Sequence, residues 1–285
     1  MIERKIFTAV YSLVGTIHLI GLFLLYKAKK CLPNQRLLTI NLAISEMVTC
    51  WFTVIFYAVF PADGQIEYHV SFAFYTVAFV EIRLTMLHII FDRFLEIYTN
   101  IKYPLIMTYK NMKILVGLHW TVSVLFATVE FSLEFFKAYE TGSTFSSFSF
   151  FTLDIVILIS FLVTYSYFYS IVKKIRGVAV NSPSQSRQRL LFKKFKVPCY
   201  IVLTYICFNM SSTVLFTYSK YERNEKLSKI LFHGTDVPIV VGFASDAFIY
   251  VLANRDVRKI LFNIFRREQM HRSNRVRDFA SALAI

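Results

Sequence analysis

Seven predominantly apolar stretches, each about 20 residues long, constrain this chain more than any other feature. They run from Ile6 to Tyr26, Leu37 to Phe60, Val70 to Phe94, Ile114 to Phe136, Phe150 to Val172, Val197 to Tyr218 and Ile230 to Ala253. A helix rising about 1.5 Å per residue needs roughly this length to cross a hydrocarbon core of about 30 Å. Backbone polar groups in lipid must pair within their own segment, so these stretches are expected to be helices rather than strands. No short apolar run with a small-residue cleavage site precedes the first, which is therefore expected to direct its own insertion. With 56% hydrophobic and 18% charged residues, including 30 Phe and 17 Tyr, a water-soluble globule would struggle to hide this surface. The pattern predicts an all-α membrane protein, with a seven-transmembrane helix bundle over residues 1–253 and an inner-leaflet segment and tail over 254–285. A soluble enzyme, a secreted disulfide scaffold and a disordered chain are excluded.

A net charge of +14 would fit a nucleic-acid ligand if the charges formed a patch, but they lie between the apolar segments. Of the 32 Lys and Arg residues, 23 fall in the connections on one side of the bundle and seven on the other, with Arg83 and Arg93 inside a span. By the positive-inside rule, the N-terminus is expected outside and the C-terminus in the cytoplasm. Basicity then reports topology and attraction to anionic membrane lipids, and no nucleic-acid partner is expected. Cys31, Cys50, Cys199 and Cys207 lack the paired spacing of a zinc or redox site, and none falls in an outer loop, so no outer disulfide is available. Asn209-Met210-Ser211 has the form of a glycosylation triplet but lies inside the sixth span. The inner segment Gly177 to Arg189 reads as a polar loop between basic helix ends.

Charges at membrane depth cost several kcal/mol unless paired or solvated, so Glu46, Glu81, Arg83, Asp92, Arg93, Asp236 and Asp246 each need a reason. From the helical rise, Glu46 lies about 14 Å from the inner start of its span and Asp246 about 10 Å from the inner end of the last. At such similar depth they either share a proton, hold a cation between them, or bond separately to nearby polar groups. In the third span, Tyr75, Phe79, Ile82, Met86, Ile89 and Arg93 share one helical face, and Glu81, Thr85, His88 and Asp92 form the neighbouring stripe. Glu81 and Arg83 point in different directions, so Arg83 needs a partner from another helix: Glu46, Asp154 or Asp246.

Several short motifs resemble those of rhodopsin-like (class A) G-protein-coupled receptors. Asp92-Arg93-Phe94 is similar to the family's Asp-Arg-aromatic tripeptide at the end of the third helix. Asn41-Leu42-Ala43-Ile44-Ser45-Glu46 resembles its second-helix signature with Glu for Asp, and Trp120 matches the fourth-helix tryptophan. Tyr169 matches the fifth-helix tyrosine, and Asp246-Ala247-Phe248-Ile249-Tyr250 resembles Asn-Pro-x-x-Tyr with Asp for Asn and Ala for Pro. Other positions depart from the pattern. His18 replaces the first-helix asparagine, Cys207-Phe208-Asn209-Met210 stands where Cys-Trp-x-Pro is usual, and Leu190 occupies a position where some members carry an acid. Tyr68 stands near the place of the missing outer cysteine, and the spacing from Arg93 to Pro104-Leu105 is longer than usual. Two lost prolines remove expected kinks.

The resemblance implies an extracellular ligand, a heterotrimeric G protein as partner, plasma-membrane location, no cofactor or metal, and no enzymatic activity. It assigns activation and G-protein coupling to Asp92, Arg93, Tyr169 and Tyr250, with Asp92 holding Arg93 at rest. It places the ligand pocket at Tyr75, Phe79, Phe208, Ser212 and Asp236, fitting a small molecule or short peptide. Tyr75 stands where amine receptors carry aspartate, which counts against an ordinary monoamine ligand, and no lysine lies between Lys229 and Lys259 to bind retinal, which excludes an opsin. The family's sodium pocket maps onto Glu46 and Asp246 beside His18, with Ile82 in place of a polar residue, and an acid pair is expected there rather than a strong sodium site. After the last span, Val257, Ile260, Leu261, Ile264 and Phe265 recur at helical spacing opposite Arg258, Lys259, Arg266 and Arg267, giving a short amphipathic eighth helix on the inner leaflet. It has no cysteine for palmitoylation, and the tail offers only Ser273 and Ser281 as phosphorylation sites. The competing function is a small transporter or channel using Glu46, Arg83 and Asp246, although no duplicated halves are visible.

Overall fold

The computed structural model describes residues 2–27, 33–59, 65–99, 102–135, 139–176, 195–252, 257–260 and 262–263. The described residues form helices and their turns. The long helices are α1 (Ile2–Lys27), α2 (Pro33–Val59), α3 (Gln65–Thr99), α4 (Tyr109–Phe135), α5 (Tyr139–Arg176), α6 (Phe195–Tyr221) and α7 (Asp236–Leu252). A single turn, Tyr103–Ile106, joins α3 to α4, and a short helix, Glu225–Gly234, joins α6 to α7. Among the described residues, α1 to α6 are long and apolar enough to cross a membrane.

Helix ends follow local chemistry. Pro33 opens α2, where a missing backbone N–H costs nothing. Before α4, the Thr108 hydroxyl accepts the backbone N–H of Asn111 at 3.2 Å, satisfying a donor of the first turn. The Asn224 carboxamide oxygen does the same for Lys226 and Leu227 at the start of Glu225–Gly234, at 3.1 and 3.3 Å. The last span predicted from sequence, Ile230 to Ala253, is therefore corrected. Ile230 to Gly234 belong to the short helix, the turn at Thr235 interrupts it, and α7 begins at Asp236. Pro238 in the first turn of α7 is tolerated there, because first-turn N–H groups have no intrahelical acceptor. The predicted first, third, fifth and sixth spans fall inside longer helices, α3 and α5 extending to 35 and 38 residues, while the predicted ends of the second and fourth, Phe60 and Phe136, lie outside the described residues.

Lipid gives helices little hydrophobic reason to associate, so close packing and polar contacts must hold the bundle. Centrally placed, α3 packs against α2, α4 and α5, while α7 packs against α1, α2 and α6 and closes the arrangement. Leu42, Ile82, Met86, Phe243 and Tyr250 lie in one continuous core. Two glycines allow close approach. A Cβ on Gly15 would sit 3.1 Å from Trp51 Nε1, and one on Gly242 would sit 3.1 Å from the Cβ of Phe208. In α6, where the sequence lacks the expected proline, a π-helical turn spans Tyr205–Asn209. The predicted inner loop Gly177 to Arg189, Leu190, and the tail with Ser273 and Ser281 lie outside the described residues. Residues 257–260 and 262–263 of the predicted amphipathic segment are helical, with Val257 buried and Arg258 and Lys259 exposed.

Candidate functional site

Four polar clusters occupy the helix interfaces, each built from residues of at least two elements. At the C-terminal end of α3, the Arg93 guanidinium, 3% exposed, donates to the carboxylates of Asp92 and Glu96. The Tyr103 hydroxyl, from the turn after α3, donates to the other Asp92 oxygen. Burial, together with the adjacent Asp92 carboxylate, pushes the Tyr103 phenol well above its ordinary range, so it stays a donor. The ring of Phe195, at the start of α6, lies 5.8 Å from the Arg93 guanidinium carbon. An arginine placed at a helix end and flanked by two carboxylates and an aromatic lid is held in place, yet only two of these contacts come from other elements.

The second cluster joins α1, α2, α6 and α7. Glu46 and Asp246, fully buried, have their side chains in direct contact. Tyr250 donates to Glu46 Oε2 at 3.1 Å, Thr204 donates to Asp246, and His18 Nδ1 lies 3.6 Å from Glu46 Oε2. His18 is walled by Phe243 and Tyr250, with ring centroids at 6.4 and 6.1 Å. A third cluster ties α3 to α5 and α6. Arg83 meets Asp154 through Nε at 3.0 Å and Nη2 at 3.3 Å, and its Nη2 also donates to Thr213 Oγ1 at 2.8 Å. Of the three partners open to Arg83 from the sequence, the structure selects Asp154. In the fourth, Glu81 accepts from Asn41 Nδ2 at 2.6 Å, Thr85 at 3.2 Å and Ser123 at 3.3 Å, while Trp120 Nε1 donates to Asn41 Oδ1 at 2.9 Å. Glu81 and Arg83 thus do point apart, into different helix pairs. Among the described residues, no group of three His, Cys, Asp or Glu side chains is placed to hold a metal ion.

A family model described as the seven-transmembrane receptor of the rhodopsin family matches residues 15–250. The chain belongs to that family. Comparison with curated proteins gives no match. As a rhodopsin-family receptor it is a multi-pass membrane protein, and three of the receptor's four clusters use the positions that carried the resemblance: Asn41, Glu46, Asp92, Arg93, Trp120, Asp246 and Tyr250.

The receptor brings some predicted site residues together and keeps others apart. His18, Glu46 and Asp246 converge, and Tyr250 joins them rather than Arg93. Tyr169 is 67% exposed on the outside of α5. One turn earlier, Tyr165 faces inward instead, its ring tilted against Phe161 with centroids 4.4 Å apart and meeting the ring of Phe195 edge-on at 6.5 Å. Of the predicted pocket residues, Tyr75 stacks on Phe79 at 4.2 Å, and Phe79 lies 6.3 Å from Phe150. Ser212 is buried on α6, Phe208 is half-buried against Gly242, and Asp236 accepts a 2.8 Å hydrogen bond from Tyr11 of α1. An open groove of about 600 Å³ lies elsewhere, on the exposed surface of α1 and α2, lined by Leu19, Phe23, Tyr26, Ile40 and Ile44. Sequence reasoning missed Glu96, Tyr103, Tyr205 and Thr213. Glu96, three residues after Arg93, has the spacing of an intrahelical ion pair and was legible; the other three depend on contacts between elements.

Proposed function

We propose that this receptor transmits an extracellular signal, from a small molecule or short peptide, to a heterotrimeric G protein at the cytoplasmic face of the plasma membrane. In this reading α7 is the seventh span, the N-terminus lies outside, and the amphipathic segment from Val257 rests on the inner leaflet. The observation that carries it is the Asp92–Arg93–Glu96–Tyr103 cluster capped by Phe195. Arg93 is charged, buried and satisfied at the expected cytoplasmic end of α3, and the first residue of α6 covers it. Movement of α6 away from α3 would uncover a guanidinium with five fixed donors, a good match for backbone carbonyls or carboxylates of an inserted partner. A ligand can drive that movement only as far as it binds one packing better than the other.

The acid pair fits the same scheme. Two buried carboxyls in contact cannot both carry charge cheaply, so we assign one shared proton to Glu46 and Asp246 rather than a strong sodium site. Tyr75, Phe79, Phe208, Ser212 and Asp236 line the ligand-facing half in this reading, and the stacked aromatics favour a partly aromatic or apolar ligand. A permeation path is disfavoured: Arg83 and Glu46 are sealed from solvent, and the charge of Arg83 is met by Asp154.

Nucleotide exchange on a panel of purified G proteins tests the reading. Wild-type receptor in lipid discs should catalyse exchange on at least one member, and Arg93→Ala should abolish it at unchanged surface expression. Exchange by Arg93→Ala at the wild-type rate would refute the assignment, and tags that place both termini in one compartment would refute the topology.

A further inference from the structure

Arg83 and Asp154 are at most 1% exposed at the junction of α3, α5 and α6, and the contacts around them are of two kinds. Between α3 and α5 the tie is ionic and two-pronged, Asp154 facing both Nε and Nη2 of Arg83. The guanidinium is further fixed by Nη1 donating to the Phe79 carbonyl at 3.1 Å and by the Phe79 and Phe150 rings, whose centroids lie 5.3 and 4.4 Å away. On α6 the attachments are hydroxyls alone. Tyr205 donates to Asp154, and Thr213 accepts from Arg83 while its own hydroxyl turns back to the Asn209 carbonyl at 3.2 Å. Separating Arg83 from Asp154 in this dry interior would strand two charges, whereas withdrawing α6 gives up only two hydrogen bonds.

The π-helical turn is what lets one helix present both hydroxyls. Tyr205 and Thr213 are eight residues apart, and in an unbroken α-helix, at about 100° per residue, they would point about 80° away from each other. One extra residue absorbed by a π turn brings the rotation to about 700°, roughly 20° short of two full turns, so both side chains reach the same junction. Tyr205 begins that turn and Thr213 follows it by four residues.

We propose that Tyr205 and Thr213 are two detachable hooks that hold α6 on a permanent Arg83–Asp154 bar joining α3 and α5, and that their release separates the resting receptor from the signalling one. This rests on the receptor reading, in which α6 moves to uncover Arg93, and it names the residues that set the balance. The bar stays closed in both states; the hooks do not.

Two nearly isosteric variants test it, Tyr205→Phe and Thr213→Val, each removing one hook and leaving the ion pair in place. Each hook bonds a charged partner, and such a bond contributes more than a neutral one, so each variant should raise ligand-free nucleotide exchange about 10- to 100-fold, and the double variant further still. Spin labels carried by noncanonical amino acids at the exposed positions Tyr98, near the end of α3, and Lys196, at the start of α6, should report more of the longer separation in the same order. Surface expression and helix content should match wild type. If both variants fold and neither the label distances nor the exchange rate moves, the hooks are not the switch. A growing separation with no exchange by any form, wild type included, would uphold the hooks and overturn the G-protein assignment.

Discussion

Removing Arg83 tests the energetics of the bundle most directly, because its guanidinium meets Asp154 twice, Thr213 once and the Phe79 carbonyl once, at 2.8 to 3.3 Å, with almost no exposure. Arg83→Met keeps the long apolar stem and deletes the charge. Asp154 is then left as a buried carboxylate held by the Tyr205 hydroxyl alone. Breaking one side of a buried pair costs about 3–5 kcal/mol. At ~2–4 °C per kcal/mol for a chain of this size, melting should fall by about 10 °C. Asp154→Leu should do similar harm by stranding the cation. The double variant Arg83→Met, Asp154→Leu has no charge to strand and fills the space with apolar atoms, so it should recover most of the loss, with a coupling of about 3 kcal/mol. Melting can be followed by reaction of a thiol dye with Cys50, which is buried against the α1–α2 interface, in a background where Cys31, Cys199 and Cys207 are Ser. A double variant no more stable than the weaker single variant would refute the claim that the two residues are held as a pair.

Other consequences are simpler. Gly242→Ala places a methyl 3.1 Å from the Phe208 Cβ and 3.2 Å from Asn209 Nδ2, and should cost about 1–3 kcal/mol in the same melting assay. Asn41→Ala removes a donor to Glu81 and the acceptor for Trp120 together and should cost about 2–3 kcal/mol, with Ser123→Ala, which removes one 3.3 Å contact, costing clearly less. Glu46→Gln keeps the shape of the acid pair while removing one of its two ionisable members. If the pair shares a proton, ligand-free signalling of this variant should depend less on pH than wild type between about pH 5 and 8, and identical profiles would remove the proton from the mechanism.

Element existence was legible because lipid enforces it: an apolar run of about 20 residues has few folds open to it. Where helices stop was less so. The last apolar segment reads continuously across Gly234 and Thr235, and only the capped start at Asn224 and the acid at Asp236 mark two helices, signals that hydropathy overrides. Site residues divide along the same line. Asp92 and Arg93 are adjacent, and Glu46 and Asp246 were matched by depth, so rise per residue sufficed. Tyr169 was chosen by its distance from the basic run at Lys173, but α5 rotates it to the lipid side and turns Tyr165 inward. Arg83 advertised its need for a partner without naming it, since the choice among Glu46, Asp154 and Asp246 depends on helix order around α3. Tyr205 and Thr213 were beyond the reach of any regular periodicity, because the π turn that aligns them has no sequence signature of its own.

The clusters differ in what they attach, and the difference bears on which helices can move. The Arg83 cluster fixes α3 to α5 by opposite charge, and the Glu81 cluster ties α2, α3 and α4 together through four interhelical hydrogen bonds made by the Glu81 carboxyl and the Asn41 amide, which also donates to Thr85. At the same depth, α6 is attached by hydroxyls: Tyr205 and Thr213 to the ion pair, Thr204 to Asp246. Since lipid supplies little force to press helices together, the free energy of moving one relative to its neighbours is set largely by such ties. Charged ties left unmade in a low dielectric are severely unfavourable, and hydroxyl ties are not. A bundle wired this way has a stiff frame of α2, α3, α4 and α5, to which α6 is joined by hydroxyls rather than by a charge pair, and α6 also carries Phe195, whose ring lies over Arg93.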